Sequence, residues 1–162
     1  IIEMNHLNET LYCGCIACAS EGHREPSGTW YVDTLLANVH KQNVTRFPYE
    51  IARLAQDIAG GLMVTCPSED DLMSPDVGKW VKKYFQGKSE VPTENRIRIL
   101  RLIENLTLGS AAVGYLTESM HGAGSPQAQR VMIARLVDLK AKQKISKKLA
   151  GIGEEDPGSA NT

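Results

Sequence analysis

The sequence predicts an all-α protein, an antiparallel helical bundle with no internal repeats. Apolar residues recur at helical spacing over long stretches, and only one short β-like run, Leu62–Cys66, interrupts them. Proline, glycine and serine stand between these stretches, at positions where helices begin and end. The 162 residues are 42% apolar and 23% charged, which is enough apolar material for one core.

Three helices are predicted in the first half of the chain. The first covers about residues 4–22 and the second about Trp30–Gln42, separated by the breaker residues 24–28. Pro48 opens the third, Tyr49–Ala59, which ends at a glycine pair. Its predicted buried stripe is Ile51, Leu54, Ala55 and Ile58.

The second half begins with an acidic loop, Pro67–Asp71, followed by a helix over Ser74–Gln86. Ser74 is its predicted cap, with Pro75 at the first helical position. The longest pattern, Thr93–Met120, has Thr93 as its predicted cap. Its predicted buried stripe is Ile99, Leu102, Ile103, Leu106, Val113 and Met120.

The last helix covers Pro126–Leu149, and residues 151–162 form a predicted flexible tail. Residues 1–150 are therefore expected to be one helical-bundle domain. Because the chain opens with Ile1 in what already looks like a helix, we expect this domain to be part of a longer protein.

The charge balance argues against several classes of partner. The formal net charge of -1 gives no attraction to nucleic acid, and no apolar run approaches the roughly 20 residues that span a bilayer. No signal peptide is apparent. We therefore expect a cytoplasmic protein that binds neither nucleic acid nor membrane.

Two patterns raise the question of a metal. Cys15 and Cys18 have C-x-x-C spacing with His23 nearby, but no second pair matches them, so small buried thiols are the preferred interpretation of Cys13, Cys15, Cys18 and Cys66. Glu3 and His6 repeat the E-x-x-H spacing of Glu118 and His121, as in di-iron bundles. Glu50, Asp57 or Glu104 could complete that site, but His121 stands where its helix ends. The di-iron bundle is a minority alternative.

The segment Thr117–Arg130, TESMHGAGSPQAQR, holds the most informative local pattern. A glycine-rich turn ends one helix, Ser125 is a good N-cap, and Pro126 suits the first position of the next helix. A helix N-terminus reached through glycine can bind phosphate or another anion. From the local pattern alone, a well-capped helix corner without a ligand is favoured.

Two motifs together carry a family resemblance. QDIAGG at Gln56–Gly61, followed by QAQRVMIAR at Gln127–Arg135, resembles the C-terminal helical domain of acyl-CoA dehydrogenases. Within that superfamily, ARLAQDIAGGLMVT, RILRLIENLTLGSAAVGY and TESMHGAGSPQAQR are most similar to the family of 4-hydroxybutyryl-CoA dehydratases, which are also vinylacetyl-CoA isomerases. The flavin-dependent 4-hydroxyphenylacetate 3-hydroxylases are a looser match. The resemblance runs from about Glu3 to Leu149.

The resemblance implies the C-terminal domain of a homotetrameric enzyme that binds FAD, a [4Fe-4S] cluster and an acyl-CoA thioester. It implies that Glu118 is a general acid or base, whereas Ala123 stands where many acyl-CoA dehydrogenases have their catalytic glutamate. The cluster ligands lie outside this segment, so no metal ligand is assigned here. The implied flavin-binding residues are His121, Gly122, Ala123, Gly124, Ser125 and Gln127 in one subunit, and Gln56, Gly60 and Gly61 across a subunit interface.

Three alternatives remain open at this point. The same domain could serve a flavin-dependent monooxygenase, which would require O₂ and reduced flavin. The chain could also be the di-iron bundle, or a non-catalytic helical fragment that pairs with a partner subunit.

Overall fold

A computed structural model describes residues 1–152, and within that range the regular elements are helices apart from one short hairpin. This confirms the predicted all-α class. The predicted tail beyond residue 152 lies outside the described residues, and the domain boundary at 150 stays a prediction. In chain order the elements are α1 (Ile2–Ser20), β1 (His23–Arg24), β2 (Trp30–Tyr31), α2 (Thr34–Val44), α3 (Phe47–Ala59), a 3₁₀ turn (Gly60–Met63), α4 (Glu69–Met73), α5 (Gly78–Phe85), α6 (Thr93–Thr107), α7 (Ser110–Gly122), α8 (Pro126–Leu136) and α9 (Leu139–Leu149).

The second strand of the hairpin occupies the start of the second predicted helix. β1 pairs with β2 in antiparallel fashion, with His23 opposite Tyr31. The helix α2 begins only at Thr34, because the carboxylate of Asp33 accepts the backbone N–H of Leu36 at 2.7 Å and caps it. The prediction of a helix from residue 30 is therefore wrong in its first turn.

The β-like run after α3 is not a strand. Gly60–Met63 form a 3₁₀ turn that begins at Gly60, whose φ is +62°. Val64 follows this turn and is 87% exposed, and no strand within residues 1–152 lies beside it to pair with. The β-like run at Leu62–Cys66 is too isolated to join a sheet, because β-branched composition alone does not supply a pairing partner.

The structure differs from the prediction in the second half of the acidic loop and at the start of the helix after it. The hydroxyl of Ser68 accepts the N–H of Asp71 at 3.1 Å, and the Asp71 carboxylate accepts the N–H of Ser68 at 2.9 Å. This capping box starts α4, so the predicted loop is wrong in its second half. Ser74 instead accepts N–H groups in a turn, and α5 starts four residues later, at Gly78.

Both long predicted helices are broken. The first divides into α6 and α7 at Gly109, whose N–H bonds to the carbonyl of Glu104, and the second divides at Asp138, which caps α9. The cap prediction for Thr93 is also wrong. Pro92 holds the cap position, and the Thr93 hydroxyl donates to the carbonyl oxygen of Lys82 at 3.2 Å.

The core joins the end of α3 to α6. Ala59, Met63 and Leu100 are buried together, with Leu62, Cys66 and Ile103 packed around them. The predicted stripes are wrong in several members, because α3 and α6 meet through a neighbouring face of each helix. The exposed members are Ile58, Ile99, Leu102, Leu106 and Val113, whereas Phe47, Ala52, Thr93, Ile97 and Thr107 are buried instead.

The remaining helices surround this core. α2 lies between α1 and α8, and α7 contacts both α3 and α6. No described helix combines the length and apolar character needed to cross a bilayer.

Candidate functional site

The corner between α7 and α8 has the local structure that its glycine, serine and proline predict. Gly124 adopts the left-handed backbone conformation, with φ of +86°. The Oγ of Ser125 accepts the backbone N–H of Ala128 at 3.1 Å, and Pro126 is the first residue of α8. The predicted cap and proline position are therefore confirmed.

Gln129 lies beneath this corner and is not among the residues that the sequence predicts to act there. Only 2% of the residue is exposed. Its Nε2 donates to the carbonyl oxygens of Ala123 at 3.0 Å and Gly124 at 3.1 Å, and its Oε1 is buried with no hydrogen-bond partner among the described residues. The signal that could have found it is its position four residues after the cap at Ser125, on the side of α8 that faces back towards the turn.

These two hydrogen bonds fix the direction of the backbone N–H groups at the corner. All peptide bonds of the described chain are trans, and in a trans peptide the C=O and N–H point in opposite directions. With the carbonyls of Ala123 and Gly124 turned inward to Gln129, the N–H groups of Gly124 and Ser125 point outward. Neither group donates to another part of residues 1–152, so both remain available to a ligand.

The side chains predicted to act at this corner are at the surface. Glu118, His121 and Gln127 are all exposed, and the first two lie three residues apart near the end of α7. A Cβ placed on Gly122 or Gly124 would meet no atom within 4 Å, so a ligand could approach the backbone closely here. The corner can therefore offer two N–H donors, a carboxylate and an imidazole to a molecule lying outside this chain.

The second predicted site lies where α3 ends. The Nε2 of Gln56 is 3.5 Å from the carbonyl oxygen of Thr107, at the end of α6. Gly60 and Gly61 are exposed, and a Cβ on either would meet no atom within 4 Å. The backbone of this turn is therefore open to a neighbouring molecule.

The structure does not bring the two predicted sites together. Gln56 lies beside the end of α6, just before α7 begins, whereas Gly122–Ser125 follow the other end of α7. A helix of this length rises about 18 Å. The two glycine sites thus lie near opposite ends of α7.

Arg101 connects α6 to the segment after the second glycine site. Its Nη2 donates to the carbonyl oxygens of Cys66 at 2.8 Å and Pro67 at 3.1 Å, and its Nη1 contacts the carboxylate of Glu104 at 2.5 Å. Burial raises the pKa of the Cys66 thiol, Arg101 opposes this effect, and Glu104 adds to it. The side chain of Arg101 thus ties α6 to the loop after the second glycine site.

The metal patterns are not assembled into a site. Within residues 1–152, no group of three or more His, Cys, Asp or Glu side chains is placed to hold a metal ion, and this includes both E-x-x-H pairs. Cys13 and Cys15 are exposed and Cys18 and Cys66 partly exposed, so the prediction of buried thiols is wrong for the first two. The thiol of Cys18 donates to the carbonyl oxygen of Cys15 at 3.2 Å, within its own helix.

Two clefts lie away from the predicted residues. One, of about 510 Å³, lies between α2 and α8, and the other, of about 540 Å³, lies between α4 and α6. Neither is lined by a predicted site residue. These two clefts are therefore separate from the predicted site residues.

Comparison with known proteins matches this chain to one protein family and to two named enzymes. The family model described as 4-hydroxyphenylacetate 3-hydroxylase C terminal matches residues 1–151. The chain is 58% identical to the 4-hydroxybutyryl-CoA dehydratase/vinylacetyl-CoA-Delta-isomerase of Clostridium aminobutyricum, over 94% of this chain and 33% of that protein. It is 28% identical to a Streptomyces globisporus (3S)-3-amino-3-(3-chloro-4-hydroxyphenyl)propanoyl-[peptidyl-carrier protein SgcC2] monooxygenase, over 46% of this chain and 15% of that protein.

A solved structure agrees with the first of these relatives. The oxygen-tolerant archaeal 4-hydroxybutyryl-CoA dehydratase from N. maritimus matches with a TM-score of 0.82 and 59% identity, over 95% of this chain and 31% of that one. This chain thus spans about a third of the length of the dehydratases it matches. The family match covers nearly the whole chain, and the chain therefore belongs to the 4-hydroxyphenylacetate 3-hydroxylase C-terminal family.

Proposed function

We propose that this chain is the C-terminal helical region of a 4-hydroxybutyryl-CoA dehydratase that also isomerises vinylacetyl-CoA. The observation that carries the proposal is 58% identity over 94% of the chain to the bacterial relative of that name. The match to the archaeal dehydratase at 59% identity supports it independently. The reaction removes water from 4-hydroxybutyryl-CoA and leaves crotonyl-CoA.

The complete enzyme would hold FAD and a [4Fe-4S] cluster, which supply the redox chemistry when bound. The corner of α7 and α8 fits a flavin, because the outward N–H groups of Gly124 and Ser125 can donate to its polar atoms. His121 and Gln127 add exposed polar side chains beside them, and Gly122 leaves room for close approach. The cluster ligands would come from residues outside this sequence.

Glu118 is the proposed general acid or base of the site. It lies on α7, one helical turn before His121, and its carboxylate is exposed at the surface of this chain. In the complete enzyme it would face the substrate and exchange a proton with it, which is a role that a carboxylate performs well once water is excluded. Gln56, Gly60 and Gly61 would contact the flavin of a neighbouring subunit.

The exposed apolar surface supports an assembly of this kind. Ile99 and Leu102 on α6 and Val113 on α7 are 56%, 51% and 68% exposed, although the sequence predicts that each is buried. Large exposed apolar patches are typical of surfaces that contact other protein. We propose that this surface meets the rest of the enzyme and its other subunits, in a homotetramer of the cytoplasm.

The test is made on the complete protein that contains this chain, purified without oxygen. We expect bound FAD, about four irons per active site as a [4Fe-4S] cluster holds, and conversion of 4-hydroxybutyryl-CoA to crotonyl-CoA. A complete protein that carries neither cofactor and leaves the thioester unchanged would contradict the proposal. Two irons without flavin would instead favour the di-iron bundle.

The role of Glu118 is tested by the variant Glu118→Gln in the same protein. Turnover should fall by about 10²-fold or more, because general acid–base groups contribute on this scale. FAD and iron contents should remain at the wild-type level. Glu9→Gln, which changes an exposed carboxylate on α1, is the matched control and should retain activity.

A second candidate is a flavin-dependent monooxygenase. The description of the matching family and the 28% identical Streptomyces relative favour it. That activity would need O₂ and reduced flavin and would act on a phenolic substrate. Oxygen consumption that depends on a phenol, with no turnover of the CoA thioester, would select this candidate.

A further inference from the structure

Gln129 is the most deeply buried polar residue of the described chain, at 2% exposure, yet it lies directly under an exposed corner. Its Nε2 holds the carbonyl oxygens of Ala123 and Gly124, at 3.0 and 3.1 Å. Burying an amide side chain costs free energy that its hydrogen bonds must offset, and here one oxygen, Oε1, stays without a partner. The two hydrogen bonds to the turn are therefore what offsets the burial of this side chain.

The start of α8 does not need this side chain. Ser125 Oγ already accepts the N–H of Ala128, and the backbone N–H of Gln129 already bonds to the carbonyl of Ser125. Pro126 has no N–H to satisfy. The side chain of Gln129 instead binds the two peptide groups that precede the cap, which lie outside the helix.

Because Gln129 holds the carbonyls of Ala123 and Gly124 inward, the N–H groups of Gly124 and Ser125 are held pointing outward. Gly124 has φ of +86°, and a glycine turn of this kind has other accessible conformations when nothing restrains it. Rotation of either peptide plane would turn its N–H inward and its carbonyl towards the ligand. A carbonyl oxygen in that place would repel an acceptor atom instead of donating to it.

We propose that Gln129 is the positioning residue of the flavin site, which keeps the N–H groups of Gly124 and Ser125 directed at acceptor atoms of the bound flavin. It acts through the turn and does not touch the flavin. This inference rests on the proposed function for its ligand, whereas the restraint on the turn stands on the hydrogen bonds alone.

The first test compares the dissociation constant of FAD for the complete enzyme and for its Gln129→Glu variant. It is measured at about pH 6 and at about pH 8.5, because a buried carboxyl titrates between these values. An ionised carboxylate cannot donate and repels the two carbonyls, whereas a protonated carboxyl can donate one hydrogen bond. We expect the dissociation constant of FAD to rise about tenfold or more at the higher pH and to recover partly at the lower one. An equal ratio of variant to wild type at both pH values would overturn the proposal.

The matched control is Gln42→Glu, which introduces a carboxyl at another amide whose Oε1 is buried and without a partner. Gln42 lies on α2 and has no hydrogen bond to the turn. We expect no pH-dependent change in FAD affinity for this variant. The same dependence in both variants would mean general destabilisation and would overturn the proposal.

A second variant, Gln129→Met, removes the donor without adding a charge that could unfold the protein. Its readout needs no FAD, so it tests the positioning role separately from the proposed function. Methionine has a similar volume but no donor, and amide hydrogen exchange is measured over residues 119–128 without FAD. We expect faster exchange at the turn and little change elsewhere. Unchanged exchange would overturn the positioning role, whereas a wild-type enzyme that binds no FAD would overturn only the proposed function.

Discussion

The guanidinium of Arg101 donates from Nη2 to the carbonyl oxygen of Cys66 at 2.8 Å, across 35 positions of the sequence. The same nitrogen reaches Pro67, and Nη1 reaches Glu104. One side chain of α6 thereby satisfies two loop carbonyls that follow the glycine pair at the end of α3. This contact adds to the core around Leu100 in holding the segment after that glycine site against α6.

Replacing Arg101 should loosen the loop. We expect Arg101→Ala to lower the free energy of unfolding by about 1–2 kcal/mol, since hydrogen bonds to a charged group are lost but the side chain is partly exposed. Denaturant unfolding measures the change. Arg98→Ala, one turn earlier on the exposed side of α6, is the control and should stay within about 0.5 kcal/mol of wild type. Equal losses in the two variants would contradict the role of the loop contact.

Cys66 should react slowly with alkylating reagents. Burial raises the pKa of its thiol and Arg101 only partly offsets this, so less thiolate is present in the folded chain at a given pH. We expect the pH midpoint for alkylation of Cys66 to be higher in the folded protein than in the denatured protein. Labelling followed by mass spectrometry of the Cys66 peptide measures both midpoints, and a lower midpoint in the folded protein would refute this.

Gly124 and Gly114 should respond in opposite directions to alanine. A Cβ meets no atom within 4 Å at either position, so steric contact within this chain does not decide the outcome. Gly124 has φ of +86°, and alanine there should cost about 1–2 kcal/mol. Gly114 lies inside α7, where alanine should stabilise by about 0.5–1 kcal/mol. Urea unfolding of both variants tests the pair, and a loss at Gly114 would show that another part of the protein occupies the space beside it.

The cap of α4 should weaken in acid. The Ser68 hydroxyl, and then its N–H, lower the pKa of the Asp71 carboxyl. A lowered pKa in the folded state adds stability above the unfolded pKa of about 3.9, and this stability is lost as the pH falls through the folded pKa.

The variant Ser68→Ala tests this dependence. It should lower the Tm at neutral pH, and the difference from wild type should shrink as the pH falls through the pKa of Asp71. Thermal unfolding followed by circular dichroism across acidic pH measures it. A difference in Tm that is constant with pH would show that the carboxylate plays no part in the cap.

The sequence by itself determined the class of fold, most of the helices and the local structure of the α7–α8 corner. These features depend on residues that are close together in the chain. They are the helical spacing of apolar residues, proline at the first helical position, and the hydrogen bond from the Ala128 N–H to the Oγ of Ser125, three residues earlier. The resemblance carried by QDIAGG and by Gln127–Arg135 likewise identified the family.

Tertiary structure alone decided which faces are buried and which polar groups restrain the site. Ile97 and Leu100 are buried while Ile99 and Leu102 are not. All four are large apolar residues, so residue type does not indicate which face of α6 packs against α3. The sequence does not reveal the contacts of Arg101 and Gln129, since their partners are backbone carbonyls, which every residue possesses. Such contacts depend on where the chain folds back, and only packing between helices fixes that position.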